Sequence, residues 1–135
     1  MAYWKIVAGH KERSPEEFKS VTLGDWLRKN YISIGWDKDS SQYKLFKESM
    51  NIGDKVVIVT DGFIWALGEI TGDFKEVSLR KDSILYSNRR DVFWYLVTKK
   101  SYRKLPSHLK NKLQGNRAIH KLDSNQWETL ILSLL

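Results

Sequence analysis

Several residue types and motifs that often mark a protein class are missing from this sequence. The 135 residues include no cysteine, which excludes a disulfide framework and a cysteine-based zinc site. Nowhere do 18 apolar residues run together, and the start, MAYWKIVAGHKERS, has no apolar run long enough for a signal peptide. We therefore expect a cytoplasmic protein that has no membrane partner.

Motifs of catalysis and nucleotide binding are missing as well. The sequence contains no G-x-x-x-x-G-K-[ST], G-x-G-x-x-G, H-E-x-x-H or G-x-S-x-G pattern. The histidines stand apart from one another, at His10, His108 and His120. Asp37 and Asp39 follow Trp36 in a loop, where carboxylates usually cap the next helix. The sequence therefore predicts no enzyme, no catalytic residue, no metal site and no cofactor.

Basic charge is present and is unevenly distributed along the chain. Residues 1–74 carry 10 Lys and Arg against 11 Asp and Glu, whereas residues 75–121 carry 13 against 3. Such a segment projects a positive field from one part of the fold. One interpretation is a solvated lysine-rich surface. The other is a surface that faces a polyanion, and nucleic acid is favoured over membrane because no basic amphipathic helix stands out.

Local patterns predict an α+β protein with a single domain over residues 1–135. Ser14, Pro15 and Glu17 have the spacing of a helix start with a capping box. The dipeptide at 61–62 is a hairpin signal, and Gly68 predicts a bulge or a barrel-type bend in the strand that follows. The predicted strands are residues 2–8, 31–35, 55–60, 63–74, 82–87 and 90–100. The predicted helices are 14–30, in one or two pieces, 40–50, 105–115 and 123–135.

Aromatic residues are numerous, with six Trp, six Tyr and five Phe. Four tryptophans lie in apolar segments and are predicted core residues: Trp4, Trp26, Trp94 and Trp127. Trp36 differs because it stands between Gly35 and Asp37 where a short strand ends. Trp65 is two residues from Phe63, so the two rings share a face of their strand. Exposed rings of this kind offer stacking surfaces for bases, worth about 1–3 kcal/mol each.

An ordered series of segments carries a resemblance to a known superfamily. The series is YWKIVAG, then GDWL and NYISIGWD, then IGDKVVIVTDGFIWALGEITGDF, then DVFWYLV and the region of Pro106. It resembles the PUA-like superfamily, in particular its EVE and YTH branches. It is also similar to the N-terminal DNA-recognition domain of McrB-type modification-dependent restriction proteins. The resemblance covers nearly the whole chain and implies a small curved sheet or pseudo-barrel of five to six strands with flanking short helices.

The resemblance also implies a pocket for a modified base. EVE and YTH members hold such a base between the end of the first strand, the GW segment and neighbouring strands. YTH members place N6-methyladenine between aromatic rings and use small polar residues after the first strand. This sequence lacks those polar residues, so the modification stays open. The implied pocket residues are Val7, Ala8, Gly9, His10, Gly35, Trp36 and Asp37, with Phe63, Trp65 and Tyr86 as candidates for a second wall.

A DNA-recognition module that flips a modified base is the function that the resemblance implies. Flipping costs a few kcal/mol, which stacking on Trp36 and phosphate neutralisation could offset. The candidates for phosphate contacts are Arg89, Arg90, Lys99, Lys100, Arg103 and Lys104. In a restriction system the partners would be an AAA+ GTPase motor domain on the same full-length chain and a nuclease subunit.

Three other hypotheses stay open. An RNA-binding PUA-like domain would recognise structured RNA through its basic face, with no modified-base pocket, and its binding would barely depend on Trp36. A protein interaction module without a nucleic-acid partner would show no salt-sensitive binding of oligonucleotides. A hydrolase of the related ASCH branch would need a polar cluster inside the pocket, for which Lys5, Thr60 and Glu69 are available but scattered along strands.

Overall fold

The computed structural model describes residues 1–8, 15–35, 38–79, 86–115 and 117–135, and for 15–21 it describes the backbone alone. Its strands are β1 (Tyr3–Val7), β2 (Tyr31–Ile34), β3 (Lys55–Thr60), β4 (Phe63–Ile70), β5 (Lys75–Glu76), β6 (Asn88–Ser101) and β7 (Ile119–Leu122). Its helices are α1 (Pro15–Lys29), α2 (Ser41–Lys44), which continues as a π-helical segment (Leu45–Ser49), α3 (Ser107–Gln114) and α4 (Ser124–Leu134).

The ends of the helices follow the signals in the sequence. Pro15 is the first residue of α1, as predicted, and α1 ends before Asn30, whose φ of 59° lies in the left-handed region. Asp123 caps α4, since its side chain accepts from the backbone N–H of Gln126 at 2.7 Å. The Gln126 side chain in turn accepts from the N–H of Asp123, which completes a capping box.

The β3–β4 hairpin is also confirmed. Asp61 and Gly62 both have positive φ, at 54° and 83°, as a type I′ turn requires. The strands lose register between Ile58 and Val59, because Trp65 is an extra residue on β4. A second irregularity lies between Leu67 and Gly68 in the pairing of β4 with β6. The extra residue there is Tyr95 on β6, so the bulge lies on the strand that faces Gly68 and not on β4 itself.

The strands form one strongly curled sheet, a half-barrel in the order β2-β6-β4-β3-β1-β7, with β5 paired to β6. β1 runs parallel to β3, and every other pairing within the described residues is antiparallel. The first strand of the chain thus lies inside the sheet, between β3 and β7. This arrangement confirms the prediction of an α+β fold with a curved sheet.

Apolar side chains pack against both faces of the sheet. On one face, α1 and the segment 41–50 cover a core that includes Trp4, Trp26, Ile58 and Phe46. On the other face, α3 and α4 cover a second core, which includes Leu67. No helix in the described part of the chain is long and apolar enough to cross a membrane.

Some predicted elements differ from the structure. β4 ends at Ile70, four residues before the predicted strand 63–74 does. Of the strand predicted at 82–87, residues 82–85 lie outside the described residues, whereas Tyr86 and Ser87 are not in a strand. β5 and β7 were not predicted. Three tryptophans are buried as predicted, namely Trp4, Trp26 and Trp127; Trp94 is only half-buried and donates its indole N–H to the Trp26 carbonyl at 2.9 Å.

Candidate nucleic-acid interface

The aromatic ring of Tyr86 lies against the backbone of Gly35, where β2 ends. A Cβ atom added to Gly35 would lie 2.6 Å from Cε1 of Tyr86, far closer than carbon atoms pack. Glycine is therefore the residue that lets this ring approach the backbone. Gly35 is exposed and Tyr86 is half-buried, so the contact is near the surface. Trp36 follows Gly35 directly in the chain.

Arg89 holds the backbone segment that carries Tyr86. Its Nε–H donates to the Tyr86 carbonyl at 3.0 Å, and its guanidinium lies 4.2 Å from the centre of the Tyr31 ring. Burial lowers the pKa of Arg89, and the nearby Asp25 carboxylate partly offsets that effect. Because the guanidinium is held between the Tyr31 ring and the Tyr86 carbonyl, Arg89 positions Tyr86, and its contact with a phosphate stays a prediction.

Arg90 cannot contact phosphate, and this prediction was wrong. The residue is only 3% exposed. Its guanidinium donates to the carbonyls of Phe46, Lys47 and Met50 at 2.7, 3.0 and 2.9 Å, and to that of Gly72 at 3.1 Å. The first three carbonyls lie at the end of the helical segment 41–49 or directly after it, where backbone acceptors lack partners within a helix. Arg90 therefore closes that end from inside the protein.

The end of β1 is only partly described. The Val7 N–H donates to the Ala118 carbonyl at 2.9 Å, and the buried Ala8 donates to Val59 at 3.1 Å. Ala8 thus belongs to the core that α1 covers, not to an open surface. Four other residues of the predicted pocket, Gly9, His10, Trp36 and Asp37, lie outside the described residues.

Phe63 and Trp65, the other candidates for an aromatic wall, form a cluster with Lys99 at the start of β4. Their ring centres are 6.1 Å apart in an edge-to-face arrangement. The ammonium of Lys99 lies 4.8 Å from the Phe63 ring and 5.2 Å from the Trp65 ring. The Trp65 indole also donates to the Thr60 carbonyl at 3.0 Å. The cluster combines two half-buried rings with an exposed cation. Such rings can stack on bases, and such a cation can contact a phosphate.

The remaining predicted phosphate contacts lie at the end of β6 and in the turn after it. Lys100, Arg103 and Lys104 are all exposed. The Lys100 ammonium donates to the Ser133 carbonyl of α4, so this side chain is directed toward that helix. The backbone N–H of Arg103 donates to the Ser101 hydroxyl at 3.2 Å. Arg103 and Lys104 therefore share one exposed turn next to Lys99 and Lys100 along the chain.

Two of the three polar residues of the hydrolase hypothesis, Lys5 and Glu69, have separate partners, whereas the buried Thr60 hydroxyl has no hydrogen-bond partner among the residues that the structure describes. Lys5 is fully buried and donates to the carbonyls of Gly115 and Arg117. Glu69 instead pairs with Lys55 on the neighbouring strand. Within the described ranges, no three His, Asp or Glu side chains come together as a metal ion would require.

One basic surface was missed by the sequence analysis. Lys44, next to the π-helical segment, lines a groove together with Arg117 and Lys121 of the β7 region. Lys44 belongs to the half of the chain that carries no net positive charge, so counting charges along the sequence did not point to it. Only the fold brings the two segments together.

Comparison with known proteins identifies the fold. No family model and no curated protein matches the sequence. The YTH domain-containing protein mmi1, solved in complex with RNA, is similar with a TM-score of 0.68 at 9% identity, over 98% of this chain and 80% of that one. The YTH domain of Zygosaccharomyces rouxii MRB1, solved with N6-methyladenosine RNA, gives 0.63 at 16%, over 98% and 85%.

A bacterial protein of similar structure extends the comparison. Atu2648 from Agrobacterium tumefaciens has a TM-score of 0.61 at 13% identity, over 100% of this chain and 94% of that one. Identities this low show the fold alone, and the similarity to the McrB-type domain stays a prediction. The half-barrel described above therefore has the YTH-like, PUA-like fold that the sequence motifs implied.

Proposed function

We propose that this chain is a reader domain that binds nucleic acid and holds one modified base, flipped out of its strand, beside the Gly35–Tyr86 contact. The observation that carries the proposal is the Tyr86 ring lying on the bare backbone of Gly35, one residue before Trp36. The YTH fold supports it, since the neighbours mmi1 and MRB1 were solved with RNA, in the second case with N6-methyladenosine RNA.

Stacking energies support a pocket at this place. A half-buried Tyr86 offers a face, and Trp36 is proposed as the opposite wall. Each aromatic ring that stacks on a base contributes about 1–3 kcal/mol. Two rings could therefore offset the few kcal/mol that extruding a base costs. Arg89 fixes the carbonyl of Tyr86, so part of the wall is already in place before a base binds.

The choice of polymer and of partners is a separate part of the proposal. If the resemblance to McrB-type domains holds, the polymer is modified DNA, and an AAA+ GTPase motor domain and a nuclease subunit act with this module. That part rests on the sequence motifs alone. The alternative polymer is RNA, which was present in the structures of mmi1 and MRB1.

Fluorescence anisotropy with matched oligonucleotides tests the pocket. The probes are DNA and RNA of one sequence, unmodified or carrying N6-methyladenine, 5-methylcytosine or 5-hydroxymethylcytosine. We expect one modified probe to bind about tenfold tighter than its unmodified partner, which corresponds to about 1.4 kcal/mol. Tyr86→Ala and Trp36→Ala should each remove that preference. Phe93→Ala, which truncates an aromatic residue that is 61% exposed on β6, is the matched control and should keep it.

Equal binding of all probes by the wild-type protein would contradict the pocket. If that binding were also steeply salt-dependent and unchanged in Tyr86→Ala, the function would be recognition of nucleic acid through basic side chains alone. If no probe bound at any salt concentration, the protein interaction hypothesis would replace both.

A further inference from the structure

A groove runs between the helical segment 41–49 and strand β7. Two cavities of about 560 and 410 Å³ form it, and they share the lining residues Leu45, Ser49 and Arg117. Because the cavities share a wall, a chain-like ligand could occupy both. None of the residues named above for the base pocket lines either cavity. The groove is thus a second concave surface made of different residues.

Hydrogen bonds hold the two walls of the groove in place. The side-chain carbonyl of Gln42 accepts from the backbone N–H of Ile119 at 2.6 Å, which ties the helical wall to β7. Behind the other wall, the buried Lys5 donates to the carbonyls of Gly115 and Arg117. Lys5 therefore fixes the segment that carries Arg117 and also places a positive charge beneath it. The groove needs no rearrangement to form.

The groove is positively charged. Lys44, Arg117 and Lys121 line it and are exposed, and no acidic residue is among the described residues that line it. His120 lies in the same wall, and its pKa is lowered by burial and then by Lys112, Lys5 and Arg117. Three cations, on α3, on β1 and in the connection before β7, therefore act on one imidazole, which indicates a positive potential in the groove.

We infer that this groove binds the phosphodiester backbone of a single nucleic-acid strand. The side chains suit such a ligand, because exposed cations neutralise phosphates and the hydroxyls of Ser41 and Ser49 are small donors for phosphate oxygens. The groove is open and exposed cations line it, which suits an extended strand better than a free base, since a free base would need a closed pocket. The inference rests on the proposed function in one respect, that the partner is nucleic acid.

Neutralising the groove tests the inference. The variant is Arg117→Gln with Lys121→Gln. The control is Arg28→Gln with Lys29→Gln, which removes the same two charges from exposed residues at the end of α1, where both pair with the buried Asp25 carboxylate. The ligand is a short unmodified single strand, as DNA and as RNA, titrated at several salt concentrations. We expect the groove variant to bind about tenfold more weakly at low salt. Its slope of log affinity against log salt should fall by about 1.4, since each phosphate contact on a single strand contributes about 0.7.

Three results would overturn the inference. The first is an equal loss of affinity in the groove variant and in the control. The second is an unchanged salt slope in the groove variant. The third is binding to phosphatidylserine vesicles that the groove variant abolishes while strand binding persists, because the groove would then serve lipid phosphates. Both double variants change exposed residues, and a thermal melt of each checks that the fold is intact.

The two proposals can fail independently. The ratio of affinities for modified and unmodified strands reports on the base pocket, and Tyr86→Ala changes it if the pocket exists. The affinity for an unmodified strand and its salt slope report on the groove. A groove variant that keeps the ratio and loses affinity supports the groove whether or not the pocket exists.

Discussion

The guanidinium group of Arg90 closes the end of the helical segment 41–49. Three carbonyls of residues 46–50 and the carbonyl of Gly72 accept its N–H groups inside the protein. Burial lowers the pKa of Arg90, while Asp73 and Asp54 act in the opposite direction. Removing this group would leave several buried acceptors without donors, and each costs about 1–3 kcal/mol.

We therefore expect Arg90→Ala to lower the free energy of unfolding by about 3 kcal/mol. Urea unfolding followed by circular dichroism measures it. The control is Arg103→Ala, which removes an exposed side chain in a turn and should change stability by less than about 0.5 kcal/mol. Equal effects of the two substitutions would show that Arg90 does not support the helical segment.

The sequence could not tell which of Arg89 and Arg90 is buried. The two are adjacent and chemically identical, yet successive residues of a strand point to opposite faces. Their roles therefore depend on which face of β6 is covered, and the cover comes from residues 46–50, far away in the chain. For the pocket, the sequence could name Gly35 and Tyr86, but only the structure shows that the ring lies on that glycine.

At the scale of elements, the clearest predictions came from local signals that the fold cannot easily override. The Asp61–Gly62 turn and the proline at the start of α1 each depend on two to four neighbouring residues. β5 was missed because its two residues, Lys75 and Glu76, are exposed and charged, so no apolar pattern marks a strand there. β7 was missed because the sheet is covered on both faces, so its apolar residues, Ile119 and Leu122, do not alternate with polar ones.

Substitution by alanine at two glycines should change the stability of the protein in opposite directions. A Cβ on Gly68 would lie 2.6 Å from Cγ1 of Val92 and 2.8 Å from the backbone oxygen of Phe93, which cannot move away cheaply. A Cβ on Gly24, in α1, would meet no atom within 4 Å. We expect Gly68→Ala to destabilise the protein by about 1–3 kcal/mol through overpacking. Gly24→Ala should stabilise it by about 0.5–1 kcal/mol through its higher helix propensity.

Thermal unfolding of the two variants beside the wild type checks this pair. A higher melting temperature for Gly24→Ala with a lower one for Gly68→Ala is the expected order. If Gly68→Ala left the melting temperature unchanged, β4 and β6 would be able to separate slightly at the bulge without cost. That result would contradict the overpacking expected there.

At the scale of the whole molecule, a single sheet connects two cores. Ile58 belongs to the core under α1, and Leu67 belongs to the core under α3 and α4. Because both cores depend on the same strands, we expect that neither core can unfold while the other stays folded. We expect Ile58→Ala and Leu67→Ala each to cost about 2–5 kcal/mol and to leave unfolding in one step.

Tryptophan fluorescence and far-ultraviolet circular dichroism, recorded on the same urea series, test the coupling of the cores. Coincident midpoints are expected in both variants. Two separate transitions in either variant would show that the cores unfold independently and that the sheet transmits no cooperativity between them.

The position of β1 in the sheet has a consequence for how the protein reaches its fold. β1 pairs with β7 so that Tyr3 faces Leu122, which joins residues from nearly opposite ends of the sequence. Contacts between residues this distant form late, because the entropy of closing a long loop must be lost first. We expect folding in milliseconds to seconds, as for other chains rich in non-local pairings. During synthesis, the edge of β1 that β7 later covers stays unpaired until residues 119–122 have emerged from the ribosome. We therefore expect the nascent chain to be most prone to aggregation and to chaperone binding just before these residues emerge.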